Sequence, residues 1–229
     1  MKIVVFTGAG VSRESGLLTF RDSKDGLWEG HDIEAVCSIQ GWQRDPQRVL
    51  DFYNSRRRDV IGAVPNDAHI ALADLEKAHD VTVITQNIDD LHERGGSTNV
   101  IHLHGEILKV FAEDDYEQNT ISWRDDLNLG DLHPDFGSQL RPFVVWFGEG
   151  LPRLNEAMAV GLAPDVDILI VVGTSLSVYP AANIALQTRA SQTYFVDPEA
   201  AHVNIRNLTH IEDRAVKGVR GLVDRLLAA

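Results

Sequence analysis

Asp167-Ile168-Leu169-Ile170-Val171-Val172-Gly173 sets the fold. Five apolar side chains in a row leave a strand with no polar face. Such a strand has to be covered on both sides, as in a parallel sheet with helices above and below it. The run is far short of the ~18 apolar residues that would suggest a membrane span. Working outward, segments 2–7, 81–86, 99–104, 143–147 and 192–197 also read as strands, with 167–173 as the sixth. Helical patterns lie between them. Asp45-Pro46 is an N-cap and first-turn signature for 46–60, and Asn66 or Asp67 caps 68–78. Pro180 opens 180–190, and Asp213 begins 214–228. This strand–helix alternation predicts an α/β fold built on a doubly wound parallel sheet.

Composition narrows the class. The 229 residues, 44% apolar and 24% charged, suit one globular domain or one domain with a small lobe. The net charge of −13 argues against nucleic-acid binding, which needs cations to neutralise phosphates. A single cysteine, Cys37, permits no intrachain disulfide and no thiolate zinc cluster. Met1-Lys2 runs directly into the strand-like Ile3-Val4-Val5-Phe6, so no signal peptide is expected, and the expectation is a soluble cytoplasmic enzyme with no membrane partner. Ala112–Asp135 carries eight acidic residues against one basic, Arg124, and reads as a solvated excursion or small lobe.

Several motifs carry candidate chemistry, each with a plainer alternative. Gly8-Ala9-Gly10 after the first strand is a phosphate loop or a tight turn; the third glycine of a dinucleotide fingerprint is replaced by Arg13. Thr85-Gln86-Asn87-Ile88-Asp89 ends a strand at the edge where α/β sheets bind ligands, or simply caps the next helix. His102-Leu103-His104-Gly105 offers a general base, a structural histidine or a pair of metal ligands. Tyr53 and Arg56 share a helix face and either grip a carboxylate or belong to a solvated basic face. Val145-Trp146-Phe147-Gly148-Glu149 and Gly173-Thr174-Ser175 each end a strand beside a glycine and either flank a peptide cleft or turn core strands into loops.

Taken in order, these blocks resemble the sirtuins, NAD-dependent protein-lysine deacylases. The resemblance rests on Gly8-Ala9-Gly10-Val11-Ser12, Ser15-Gly16, Thr19-Phe20-Arg21, Gly26-Leu27-Trp28, Thr85–Asp89, His102–Gly105, Arg141-Pro142 through Glu149, and Gly173-Thr174-Ser175. Phe52-Tyr53-Asn54-Ser55-Arg56-Arg57-Arg58 looks like the class III, bacterial and desuccinylase-type branch. The fold implied is one α/β catalytic domain over 1–229, a Rossmann-like doubly wound parallel sheet with lobe insertions at about 28–66 and 108–141. Gly8, Ala9 and Gly10 would cradle the NAD diphosphate. Ser15, Phe20, Arg21 and Trp28 would contact the cofactor, Phe20 and Arg21 from a flexible loop. Gln86, Asn87, Ile88 and Asp89 would hold the nicotinamide end, with Asn87 and Asp89 taking part in catalysis. His104 would be the general base. Gly173, Thr174, Ser175, Asp197 and Ala215 would bind the adenosine side. Tyr53 and Arg56 would recognise an acidic acyl group, and Val145, Phe147 and Gly148 the substrate backbone.

The implied chemistry consumes NAD: nicotinamide leaves, the acyl oxygen attacks the ribose carbon, and His104 takes a proton from a ribose hydroxyl. The products would be free lysine, nicotinamide and 2′-O-acyl-ADP-ribose. The partners expected are acyl-lysine proteins or peptides, with succinyl- and malonyl-lysine preferred over acetyl-lysine, and the chain is expected to be a monomer. Two positions depart from the family. The stretch 108–141 lacks the two cysteine pairs that bind structural zinc, so no zinc is expected, and Phe111, Ile121, Trp123, Leu127 and Phe136 are the candidates to hold the lobe by packing. Cys37 falls where wide-pocket members have alanine, and either narrows the acyl channel or is an inert structural thiol. Two other classes compete: a protein ADP-ribosyltransferase of sirtuin type, and a metal-dependent hydrolase using His102 and His104.

Overall fold

The computed structural model describes residues 1–18, 33–115, 119–199 and 204–228. The expectations placed on Phe20, Arg21 and Trp28 lie outside these residues. In chain order the strands are β1 (Lys2–Thr7), β2 (Asp80–Thr85), β3 (Val100–His102), β4 (Gly105–Ala112), β5 (Ile121–Ser122), β6 (Leu140–Val144), β7 (Ile168–Val172), β8 (Gln192–Val196) and β9 (Leu208–Ile211). The α-helices are α1 (Ile33–Val36), α2 (Ile39–Arg44), α3 (Pro46–Gly62), α4 (Asp67–Asp74), α5 (Leu91–Arg94), α6 (Leu154–Gly161), α7 (Asn183–Leu186) and α8 (Ala215–Leu227).

Six strands form one sheet in the order β3-β2-β1-β7-β8-β9, and every pairing is parallel. Alternate residues of β1 feed two separate cores, because strand side chains point to opposite faces. Ile3 and Val5 pack with Ala68, Ala71 and Leu72 of α4 and Val219 and Leu222 of α8. Val4 and Phe6 pack with Ala157 of α6 and Ile184 and Ala185 of α7. The sheet is therefore wound on both sides, as the apolar run Ile168–Val172 requires. The order reverses at β1, with β2 on one side and β7 on the other, and this is the crevice where open α/β sheets bind ligands.

Four boundaries differ from the sequence reading. The strand expected over 143–147 is β6, and it lies in a separate antiparallel sheet of order β5-β4-β6. After Val144 the chain leaves that ladder, and Gly148 turns it with φ 91°. Strand 99–104 is cut to β3, because the chain turns at Gly105 (φ 83°) to begin β4. Helix 180–190 shrinks to the four residues of α7; no side chain caps its start, and the Thr188 hydroxyl accepts from the Ala190 amide to close a turn. Helix 68–78 is α4 followed by a 3₁₀ turn at Leu75–Lys77. The N-caps at Asp45 and Asn66 hold: their side chains accept from the amides of Arg48 and Ala68. Asp213 does not cap α8, whose flanking residue is Arg214.

A third core joins α3 to the antiparallel sheet through Val49, Leu50, Phe52, Tyr53, Ile107, Val110, Leu127 and Trp146, with Ile121 and Trp123 packed against it. Phe111 is also buried, but Phe136 is half-exposed above the His133 ring and does not join the core. A buried polar clasp reinforces this packing. The Asn54 side chain accepts from the Leu127 amide at 2.8 Å and donates to the Leu127 carbonyl at 2.9 Å, in the manner of a β-bridge. Arg57, fully buried, donates to Asn54 Oδ1 at 2.6 Å and to the Ile107 carbonyl at 3.1 Å. Burial pushes its pKa down to about 10, with Asp126 opposing, so it stays charged at neutral pH.

Replacing Asn54 by Ala leaves both backbone groups of Leu127 without partners among the described residues. Asn54→Ala should cost about 2–4 kcal/mol in chemical denaturation, and exchange of the Leu127 amide hydrogen should accelerate. Unchanged protection at Leu127 would mean that the segment is held elsewhere.

Candidate active site

The loops after β1, β2, β7 and β8 converge at one edge of the sheet. Gly10 N–H donates to the Gly173 carbonyl at 2.9 Å, and Gly8 N–H to the Val172 carbonyl at 3.0 Å. A Cβ on Gly10 would lie 2.6 Å from Gly173 Cα, and one on Gly8 2.7 Å from Thr174 Cβ. The glycines thus let two loops touch across the switch point, a steric reason distinct from phosphate approach. Gly173 itself sits at φ 61°, in the left-handed region. Gln86 Nε2 reaches across to Thr174 Oγ1 at 3.0 Å, so the loops after β2 and β7 are also tied. Asp197 follows β8 and is buried, with Oδ1 accepting from the Glu199 amide. Ser175 is exposed and shares a 2.7 Å hydrogen bond with Ser177. Ser15 accepts from Asn66 Nδ2 at 3.0 Å, and Ala215 opens α8, whose Val216 amide donates to Glu14.

Ser12 is the hub of this edge. Its hydroxyl donates to Asp89 Oδ2 at 3.0 Å and accepts from Asn87 Nδ2 at 3.1 Å. The other oxygen of Asp89 accepts from the Leu91 amide, and the Asn87 amide donates to Thr85 Oγ1 at 3.0 Å. Burial raises the Asp89 pKa, while the Leu91 and Ser12 hydrogen bonds and the charge of His102 pull it back. Ile88, between them, gives its carbonyl to the Ile107 amide. Asn87 and Asp89 are expected here from the sequence, whereas Ser12 is not; its place beside Gly8-Ala9-Gly10 is the signal that could have found it.

His104 is half-buried, and its Nδ1 lies 2.9 Å from the Gln86 carbonyl oxygen. A carbonyl only accepts, so Nδ1 carries the proton and Nε2 presents a lone pair. Burial lowers the His104 pKa, opposed by that hydrogen bond, so the ring is neutral at physiological pH. A neutral imidazole with one fixed N–H and a second nitrogen that meets no donor among the described residues is poised to act as a base. The two histidines of the His-x-His motif do not converge on one point: His102 turns its Nδ1 to the Asn87 carbonyl and its Nε2 to Glu93.

On the other side of the site, segment 145–149 is braced from within. The Val145 amide donates to the His104 carbonyl and the Phe147 amide to the Cys37 carbonyl, both at 2.9 Å. Arg141, buried, lies 3.4 Å over the Trp146 ring and forms a two-point ion pair with Glu149 at 2.9 and 3.1 Å. Glu149 in turn accepts from the Trp146 amide at 2.7 Å. Phe147 is left 62% exposed, facing outward beside Gly148. The Tyr53 hydroxyl accepts from Trp146 Nε1 at 3.1 Å and meets Cys37 Sγ at 3.2 Å. Burial pushes the Cys37 thiol up to about 12, so it is no nucleophile at neutral pH. Tyr53 and Arg56 share no hydrogen bond; Arg56 pairs with Asp59 at 3.0 Å, and its Nε is buried with no partner among the described residues.

Comparison with known proteins supplies the family. A curated Helicobacter pylori relative, "NAD-dependent protein deacylase", is 50% identical over 98% of this chain and 97% of its own length. One of the same name from Pyrococcus furiosus is 43% identical over 96% of this chain and 89% of its own. A solved Sir2 homologue–NAD complex superposes with a TM-score of 0.88 at 38% identity, covering 99% of this chain and 90% of that one. The Sir2 family profile matches residues 8–180, so the chain belongs to the Sir2 family.

Proposed function

We propose that this chain is an NAD-dependent protein deacylase acting on acyl-lysine, with NAD consumed as co-substrate. The observation that carries the reading is His104, a neutral imidazole whose proton is fixed on Nδ1 by the Gln86 carbonyl and whose Nε2 has no hydrogen-bond partner among the described residues. The surrounding side chains fit the nucleotide. Ser12, Gln86, Asn87, Thr174 and Asp197 together supply amide donors, hydroxyls and carboxylate oxygens, the partners that ribose hydroxyls and a carboxamide require. When bound, the nucleotide supplies an electrophilic ribose carbon with nicotinamide as its leaving group. Asn87 and Asp89, fixed through Ser12, would hold the nicotinamide end, and Gly173, Thr174, Ser175, Asp197 and Ala215 the adenosine end. His104 Nε2 would accept a ribose hydroxyl proton. Of the amides from Val145 to Glu149, only that of Gly148 makes no internal hydrogen bond among the described residues, so it is the donor open to a substrate backbone.

The same reading includes an acidic acyl group, succinyl or malonyl, ahead of acetyl. Arg56 Nε, buried one helical turn from Tyr53 and without a partner among the described residues, supports it: a carboxylate would supply an acceptor. It also takes the third core and the Asn54–Arg57 clasp to hold the lobe without zinc, since the chain has only Cys37.

Four outcomes are expected. Arg56→Met should lower succinyl-peptide kcat/KM roughly 10- to 150-fold, the worth of one charged hydrogen bond, while acetyl turnover holds; equal losses would make Arg56 structural. The acid limb of the pH–rate profile should fall below ~6.5, the ordinary histidine value, because activity disappears only as His104 protonates at its lowered pKa. His104→Tyr should abolish turnover, and a fully active variant would remove the base. Elemental analysis of the purified chain should find no stoichiometric zinc, and a chelator should leave activity unchanged.

A further inference from the structure

His104 leaves the other histidine of its motif unexplained. His102 ends β3 and is 6% exposed. Its Nδ1 lies 3.0 Å from the Asn87 carbonyl oxygen, and its Nε2 lies 2.8 Å from Glu93 Oε1 on α5. The carbonyl can only accept, so Nδ1 carries a proton. Nε2 and the carboxylate share a second one. Burial alone would raise the Glu93 carboxyl, yet the His102 hydrogen bond and charge hold it below its ordinary range. Burial alone would lower His102, yet Glu93 and the Asn87 carbonyl raise it above the usual histidine value. The second proton therefore sits on the ring. The neighbouring histidines go the other way: burial pushes His69 down to about 4, and His92 and His104 are also lowered.

The two rings of His-x-His thus read two successive carbonyls, His104 that of Gln86 and His102 that of Asn87. These bonds fix the peptide planes on both sides of Asn87, whose side chain donates to Ser12. We propose that His102 and Glu93 are positioning residues: a buried imidazolium–carboxylate pair that clamps the Asn87 carbonyl and so holds the 86–89 loop in register with the base. Without the clamp, the Asn87 carbonyl loses its donor and the loop can rotate away from Ser12. The catalytic meaning of the pair rests on the deacylase reading; its protonation does not.

Two variants separate clamping from mere filling of space. Asparagine can place an amide N–H where Nδ1–H stands, whereas leucine fills similar volume with no donor. His102→Leu should lower kcat about 10- to 100-fold, the loss of a charged hydrogen bond, with acyl-peptide KM within about twofold. His102→Asn should recover most of that loss. Equal damage in both variants, or none in either, would overturn the clamp. Nitrogen-15 NMR of the unmodified chain gives a readout that survives misfolding of any variant. At pH 7 the His102 ring should show both nitrogens protonated, and Glu93→Gln should leave it singly protonated. A singly protonated His102 in the unmodified chain would overturn the pair. An unmodified chain with no NAD-dependent turnover would instead remove the deacylase reading, and the NMR result would still decide the pair.

Discussion

The contact between the loop after β1 and the loop after β7 is the constraint on which the site depends. At the switch point of a doubly wound sheet the two loops diverge, and a crevice opens between them. Here they are drawn together at its base by Gly10 N–H to the Gly173 carbonyl, with no room for a Cβ on Gly8 or Gly10. That closeness places Thr174 within reach of Gln86 and lets Ser12, on the turn that follows, face Asn87 and Asp89. The polar edge is preorganised in this way: its side chains are already oriented by one another, which is what a site needs to hold a reacting sugar without reorganising.

The second requirement is a rigid opposite wall. In this chain it is built from α3 and the antiparallel sheet, and held by apolar packing together with buried charge. Arg57 and Asn54 bind the backbone at Ile107 and Leu127, and Arg141 lies between Trp146 and Phe111 while pairing with Glu149. Truncating one member of such a buried network is costly, because the remaining partner is stranded away from water. Tyr53 stands on the wall, its hydroxyl held between Trp146 and Cys37.

Much of this was legible in the sequence, for identifiable reasons. Ile168–Val172 announces a central parallel strand because nothing in it can face water, and Asp45 and Asn66 mark helix starts by cap chemistry that acts over three residues. The antiparallel sheet was not legible: β4 carries Glu106 and Lys109 and pairs with a strand nearly 30 residues away, so its pattern depends on tertiary contacts. The short α7 escaped for a similar reason, since proline-led helix signals do not report where the chain will stop. In the candidate site, Gly8, Gly10, Asn87, Asp89 and His104 stand out in the sequence by their position at strand ends, and the fold brings them to one edge of the sheet. Ser12 and Glu93 do not stand out in the same way, because the partners that fix them, Asp89 and His102, are distant in sequence or outside any local motif.

His104 is proposed to act beside a nucleotide that is broken as the acyl group is removed, and counting the products decides whether it does. The full chain would be incubated with a succinyl-lysine peptide, with and without NAD, and the products counted by mass spectrometry. Free peptide, nicotinamide and 2′-O-acyl-ADP-ribose should appear in equal amounts, and none of them without NAD. Peptide release in the absence of NAD, or ADP-ribose attached to protein in place of the acyl-ADP-ribose, would contradict it.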